Sequence, residues 1–277
     1  MSNKYNTIKY RYLTATGPVE YNLTNDYMFR ATLQQSKPSL RGLVCSVLGL
    51  KQSDVVNITI LNPIEIGQAI SDKELRMDIM VLMNDNTTID LEMQVQNLHD
   101  WPERSLTYLC REFDNLKHGD NYSEAGTAYQ VGFLDFTLFP DHPEFVGRYQ
   151  MRNVRDGYMY TDKFNLIVIE LDHINLATKN DIESGIDKWV RLFKAKTWED
   201  IIMIAKANTA LESAAESMYL SNTDWLIRKQ CREIEDARRF NEGRERKLKT
   251  LTEQVDQLTS ENTQLTSENT QLNSEVF

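Results

Sequence analysis

The chain has 277 residues, 41% of them hydrophobic, and a formal net charge of −10. That length suffices for one sizeable α/β core with an appendage, or for two small domains. No apolar run approaches the ~18–20 residues of a bilayer span, and the acidic balance argues against nucleic-acid binding over the whole surface. The charge is uneven: residues 1–60 carry Lys4, Lys9, Arg11, Arg30, Lys37, Arg41 and Lys51 against only Glu20, Asp26 and Asp54, which leaves room for a local site.

The opening MSNKYNTIKYRYLTATG is polar and lacks the apolar stretch of a secretory signal. Cys45, Cys110 and Cys231 are far apart and odd in number, with neither a disulfide framework nor a zinc spacing. A reducing cytoplasm is the expected compartment, with no membrane association.

Residues 24–36 read as a helix capped by Thr24 or Asn25. Pro38 interrupts, and 39–49 form a second apolar helix stopped by Gly49. Three strand-like runs follow at 56–62, 75–82 and 88–96, the last two joined by the polar turn MNDNT. The third alternates: Ile89, Leu91, Met93 and Val95 face one way, and Asp90, Glu92, Gln94 and Gln96 the other. A helix over about 101–118 takes Asp100 as N-cap, Glu103 at the capping-box position and Pro102 in its first turn. Leu106, Leu109, Phe113 and Leu116 form its expected buried stripe, with Arg104, Tyr108 and Arg111 opposite. Residues 128–139 and 163–171 supply further strands. This order predicts an α/β fold, a mixed sheet with helices packed on it.

From about 180 the chain reads as helical, with one helix carrying Trp189, Leu192 and Phe193 and another over 198–219. Residues 224–246 are highly charged with sparse apolar anchors. QLTSENT at 257–263 then repeats at 264–270 and, altered, as QLNSEVF. The period is seven, with Leu251, Leu258, Leu265 and Leu272 at d and Leu248, Val255, Asn262, Asn269 and Val276 at a. This predicts a parallel homodimeric coiled coil. The alternative is a disordered polar tail, since Thr, Ser and Asn are poor helix formers. The expected divisions are 1–180 for the core, 181–246 for a helical extension and 247–277 for the coil.

Pairing the second and third strands around Asp85 sets Asp78 opposite Glu92, and Gln94 follows on the same face. Hard oxygen donors of this kind bind Mg²⁺ or Mn²⁺, and a metal so held activates water at a phosphoryl group. The Met93 carbonyl is a candidate third ligand by position. Acids on the polar face of a hairpin can equally be just solvated.

Asp78, a turn and then Glu92-Met93-Gln94 resemble the PD-(D/E)XK motif in the variant with Gln in place of Lys. More specifically, NDYMF (25–29), LNP (61–63), RMDIMV (76–81), IDLEMQVQ (89–96), ERSLTYLCREFDN (103–115), GDNY (119–122), IVIEL (167–171) and DKWVRLF (187–193) resemble the Rpn family of recombination-promoting nucleases, also called PD-(D/E)XK nuclease family transposases. The resemblance spans roughly 20–240. It implies a restriction-endonuclease-like sheet and a Mg²⁺-dependent DNA endonuclease linked to recombination, mobile elements or phage defence. Asp78 and Glu92 would be metal ligands, Gln94 would orient the attacking water, and Asp26 would touch a metal-bound water or second metal. Arg104, Tyr108 and Arg111 would hold phosphate. Lys in place of Gln94 would be tolerated, being the superfamily's usual residue. A shorter product starting near Met218 would keep the coil and lack the site. The rival expectation is a non-catalytic coiled-coil interaction protein on a nuclease-like fold. The four histidines form no ligand spacing; His99, just past the Glu-x-Gln strand, is the one worth testing.

Overall fold

A computed structural model describes residues 10–275 except 65, 67–77, 84–85, 115, 117 and 120, with side chains only as far as Thr270. Residues 75–77 of the expected second strand, Asn84 and Asp85 of its turn, the Leu272 side chain and Val276 lie outside the described residues.

Helix α1 (Asp26–Gln35) starts where the Asn25 side chain accepts a hydrogen bond from the Met28 N–H. Pro38 does not interrupt; it lies in the first turn of α2 (Lys37–Leu48), where a missing N–H costs no helical bond. The Ser36 side chain caps this helix, and Gly49 ends it at φ 69°, a left-handed conformation that suits glycine.

The strands are β1 (Ile58–Ile60), β2 (Ile79–Met83), β3 (Thr88–Gln94), β4 (Ala128–Leu134), β5 (Val146–Gln150) and β6 (Phe164–Glu170). They form one six-stranded sheet in the order β1-β2-β3-β4-β6-β5. The β3–β4 and β4–β6 pairs are parallel and the other three antiparallel, so the expected mixed sheet is present. Helix α3 (Trp101–Phe113) makes the crossover from β3 to β4. Strand β5 has no counterpart among the expected elements: its VGRYQ buries only Gly147, so it lacks the alternation that marks a strand.

Two apolar layers flank the sheet. On one side Phe29 of α1 meets Phe133 of β4 and Phe193 of α5 (Ile186–Phe193), with ring centroids 5.7 Å apart in each case. On the other, Trp101 of α3 packs with Leu134 and Val168. Trp101 also sets the roll of α3. The buried positions are Trp101, Ser105 and Leu109, one turn apart, whereas Leu106 of the expected stripe is 49% exposed. Asp100 makes no side-chain cap, so the expected capping box does not form, and α3 ends at Phe113 rather than near 118. The roll leaves Arg104 and Tyr108 half-buried beside the stripe instead of opposite it.

The helical part continues with α4 (Lys179–Ser184), α5, α6 (Trp198–Ala205), α7 (Thr209–Thr223) and α8 (Trp225–Glu275). The expected single helix over 198–219 is two, because the Asn208 side chain accepts from the Leu211 N–H and starts α7 afresh. Helix α7 packs on α1 and α2, and Ser217 donates to the Thr32 carbonyl at 2.8 Å. The stretch after residue 180 is therefore no separate extension: one compact unit runs from Met1 to Cys231 and a second from Arg232 to Phe277. In the second unit the heptad positions Leu248, Leu251, Val255, Leu258 and Leu265 are all exposed along the helix. Among the described residues, no helix is long and apolar enough to cross a membrane.

Candidate active site

The β2–β3 register pairs Ile79 with Leu91 and Met80 with Asp90; one residue further, Asp78 falls opposite Glu92, as the turn around Asp85 predicts. Asp78 is buried, and its backbone is clamped from two sides. The Arg30 guanidinium on α1 donates to the carbonyls of Asp78 and Asn62, and its Nε to Gln34 Oε1 at 3.2 Å. Asn62 in turn donates to the Asp78 carbonyl at 3.2 Å and accepts from the Met80 N–H at 2.9 Å. Arg30 has no solvent exposure. Burial lowers its pKa, while the neighbouring Asp78 and Asp90 raise it. Four carbon–nitrogen arms thus fix where the Asp78 side chain starts.

Glu92 and Gln94 meet a single cation. Arg104 Nη2 donates to Glu92 Oε1 at 2.9 Å and to Gln94 Oε1 at 2.7 Å. The Gln94 amide nitrogen donates to the Gln96 carbonyl at 2.7 Å. The Arg104 guanidinium also lies 5.2 Å from the Trp101 ring centroid, so the packing that rolls α3 also places this arginine. Both ends of Gln94 are already in use. The expectation that Lys would serve at this position meets an obstacle, since an ammonium cannot accept from Arg104 and would stand beside its charge.

Asp90 joins this group from the same face of β3, two residues before Glu92. It is only 3% exposed, and its carboxyl is held well above the usual range, by burial first and then by Asp78, Glu92 and Glu112. Gln130, its register partner on β4, pulls it the other way, although neither Gln130 amide atom reaches hydrogen-bond geometry. Asp78 Oδ1 and Asp90 Oδ1 are buried without a hydrogen-bond partner among the described residues. Acceptors of this kind are costly unless positive charge meets them. The donor set therefore suits a hard divalent cation. Among the described residues, however, no group of three or more His, Cys, Asp or Glu is already disposed as a metal-ligand set.

The other expected residues are placed less centrally. Asp26 lies in the first turn of α1, partly buried, one helical turn before Arg30 on the same side. Arg111 is exposed, with its guanidinium 5.9 Å from the Tyr108 ring. The Met93 side chain is buried. His99 stands at φ 58°, with its N–H bonded to Asn97 Oδ1, outside this cluster of bonds. Sequence reading did not single out Asp90, Arg30 or Asn62. Asp90 was legible as a member of the polar row; Arg30 carried no signal, being one basic residue in an apolar helix.

A family model described as PD-(D/E)XK nuclease family transposase matches residues 23–268. No curated protein and no solved structure matches the chain. The matched span holds the clamp on Asp78, the carboxylate hairpin and α3, and the chain belongs to the PD-(D/E)XK nuclease family transposases.

Proposed function

We propose that the protein is a divalent-metal-dependent DNA endonuclease, with Mg²⁺ the natural ion and Mn²⁺ a substitute. The observation that carries this reading is the opposition of Asp78 and Glu92 across the β2–β3 hairpin, with Asp78 Oδ1 unsatisfied. Asp78 and Glu92 would hold the ion, with the Met93 carbonyl as a further ligand. When bound, such an ion lowers the pKa of water and offsets charge developing on the phosphodiester. The chain's own groups do the rest. Gln94, fixed by Arg104 and Gln96, presents an amide that orients the attacking water in line with the scissile bond. Arg104 holds Glu92 and Gln94 at a common nitrogen. Tyr108 and Arg111, further along α3, would take flanking phosphates, and Asp26 would hold a water at the ion. The negative charge gathered by Asp78, Asp90 and Glu92 is itself a reason for the apo site to draw in a cation.

The biological setting that fits is DNA recombination, mobile elements or phage defence, in the cytoplasm. The exposed heptads of α8 would pair two copies in a parallel coiled coil, and a product starting near Met218 would join that coil without an active site. The test is plasmid cleavage by purified full-length protein with Mg²⁺ and with EDTA. Asp78→Asn and Glu92→Gln should each lower cleavage by roughly a hundredfold or more while leaving the unfolding midpoint nearly unchanged. Wild-type rates in both variants would remove the assigned site.

A further inference from the structure

Beyond β5 the chain forms a short hairpin that nothing above uses. Arg152 bridges Met159, the Asn153 N–H donates to the Tyr158 carbonyl at 2.8 Å, and the Tyr160 N–H to the Met151 carbonyl at 3.0 Å. This register sets Tyr158 opposite Asn153 and Tyr160 opposite Met151. Alternation then puts Tyr149, Met151, Tyr158 and Tyr160 on one face of the ribbon. All four are exposed, Tyr158 at 76% and Tyr160 at 81%. Large aromatic rings left this open on a ribbon bury almost nothing, which marks a contact surface. A concavity of about 400 Å³ lies among them, lined also by Arg152 and Met159.

Charge says what would cover it. Residues 146–163 hold Arg148, Arg152, Arg155 and Lys163 against Asp156 and Asp162, a basic stretch in a chain of net charge −10. Arg152 and Arg155 are exposed, Arg155 at the tip. Flat rings interleaved with arginines are the chemistry of a stacking platform for unpaired nucleobases, with the guanidinium groups on the phosphates. The face also connects with the site. Tyr149 and Met151 line one apolar groove with Leu106 and Leu109 of α3, the helix whose Arg104 reaches Glu92 and Gln94. The ribbon's aromatic face therefore lies on the α3 side of the sheet.

We infer that the 149–160 ribbon is a binding arm for single-stranded or locally unpaired DNA. This rests on the nuclease reading for its role in cleavage, but not for the binding itself. The arm would hold an unpaired stretch that runs over α3 from the scissile phosphate, with bases stacked on Tyr158 and Tyr160.

The experiment measures fluorescence anisotropy of labelled oligo-dT and of a matched duplex, each of about 20 nucleotides. The protein is the full chain carrying Glu92→Gln, without Mg²⁺, so that no DNA is cut. Tyr158→Ala with Tyr160→Ala should weaken single-strand binding about tenfold or more and duplex binding less than about threefold. The Phe pair at the same positions should bind as the parent does, because rings rather than hydroxyls stack. Arg152→Ala with Arg155→Ala should flatten the slope of log affinity against log salt by about one unit. An Ala pair that binds oligo-dT like the parent overturns the inference. So does equal loss on both DNA forms, or a loss of self-association with no change in DNA binding. Tyrosine-dependent binding by a protein that never cuts plasmid would leave the arm standing and remove the nuclease reading. Cleavage with tyrosine-independent binding would remove the arm alone.

Discussion

A single methyl group tests the link between packing and the candidate site. A Cβ built on Gly132 lies 2.1 Å from Trp101 Cζ2 and 2.6 Å from Cη2, well inside contact distance. The indole cannot step aside cheaply, because Trp101 is buried against Leu134 and Val168. Gly132→Ala should therefore cost ~1–3 kcal/mol, as overpacked cores do, and lower the unfolding midpoint by about 2–12 °C for a unit of this size. Trp101→Ala alone should cost ~3–5 kcal/mol. With the indole gone the added methyl meets open space, so the double variant should cost ~1–3 kcal/mol less than the sum of the singles. Thermal and denaturant unfolding of the four proteins give this coupling. Cleavage should fall with Gly132→Ala as well, since Gly132 is the register partner of Glu92 and a displaced Trp101 carries Arg104 with it. Strict additivity, or an unchanged midpoint in Gly132→Ala, would refute the reasoning.

Further outcomes can be checked in parallel. Gln94→Lys should cleave more slowly than wild type, because the ammonium displaces an acceptor of Arg104, and Gln94→Leu should lose activity outright; a Lys variant at the wild-type rate would remove the Arg104–Gln94 bond from the mechanism. The raised carboxyl of Asp90 binds a proton in the folded chain more tightly than in the unfolded one. Metal-free protein should thus lose stability as pH rises above the unfolded value of about 3.9. Asp90→Asn should match the parent at the acid end and exceed it at pH 8, read by denaturant midpoints across pH. Truncation after Arg246 should convert a dimer to a monomer by light scattering and reduce double-strand cleavage relative to nicking. A truncated chain that stays dimeric and cuts both strands normally would take the heptads out of the mechanism.

Local chemistry made much of this molecule legible. The Asp78–Glu92 pairing followed from one alternating strand and one turn, because strand register is set by the turn that precedes it. The mixed sheet followed from the order of elements. What failed to show was whatever depends on contacts distant in sequence. The stripe on α3 was misplaced because the largest apolar residue, Trp101, sits at the helix start and finds its partner at Gly132. Strand β5 stayed hidden since an edge strand with one buried residue has no alternation to read. Arg30 looked like a surface charge, and only the fold carries it under Asp78 to serve two buried carbonyls. The break between α6 and α7 hung on Asn208, one cap inside an apolar run.

The QLTSENT repeat has a consequence of a different kind. In the second unit each repeat is one heptad of a continuous helix, and Thr259, Thr263, Thr266 and Thr270 each donate back to the carbonyl four residues earlier. Each copy thus satisfies its own hydroxyls without help from its neighbours. Gaining or losing one copy changes the helix by about 10.5 Å at ~1.5 Å per residue and returns every leucine to d. A change of any other size would turn the apolar seam around the helix. Because the same seven-residue word is encoded in tandem, slippage during copying of the gene adds or removes whole heptads. The coil is therefore a length that can evolve in steps while the catalytic unit stays untouched.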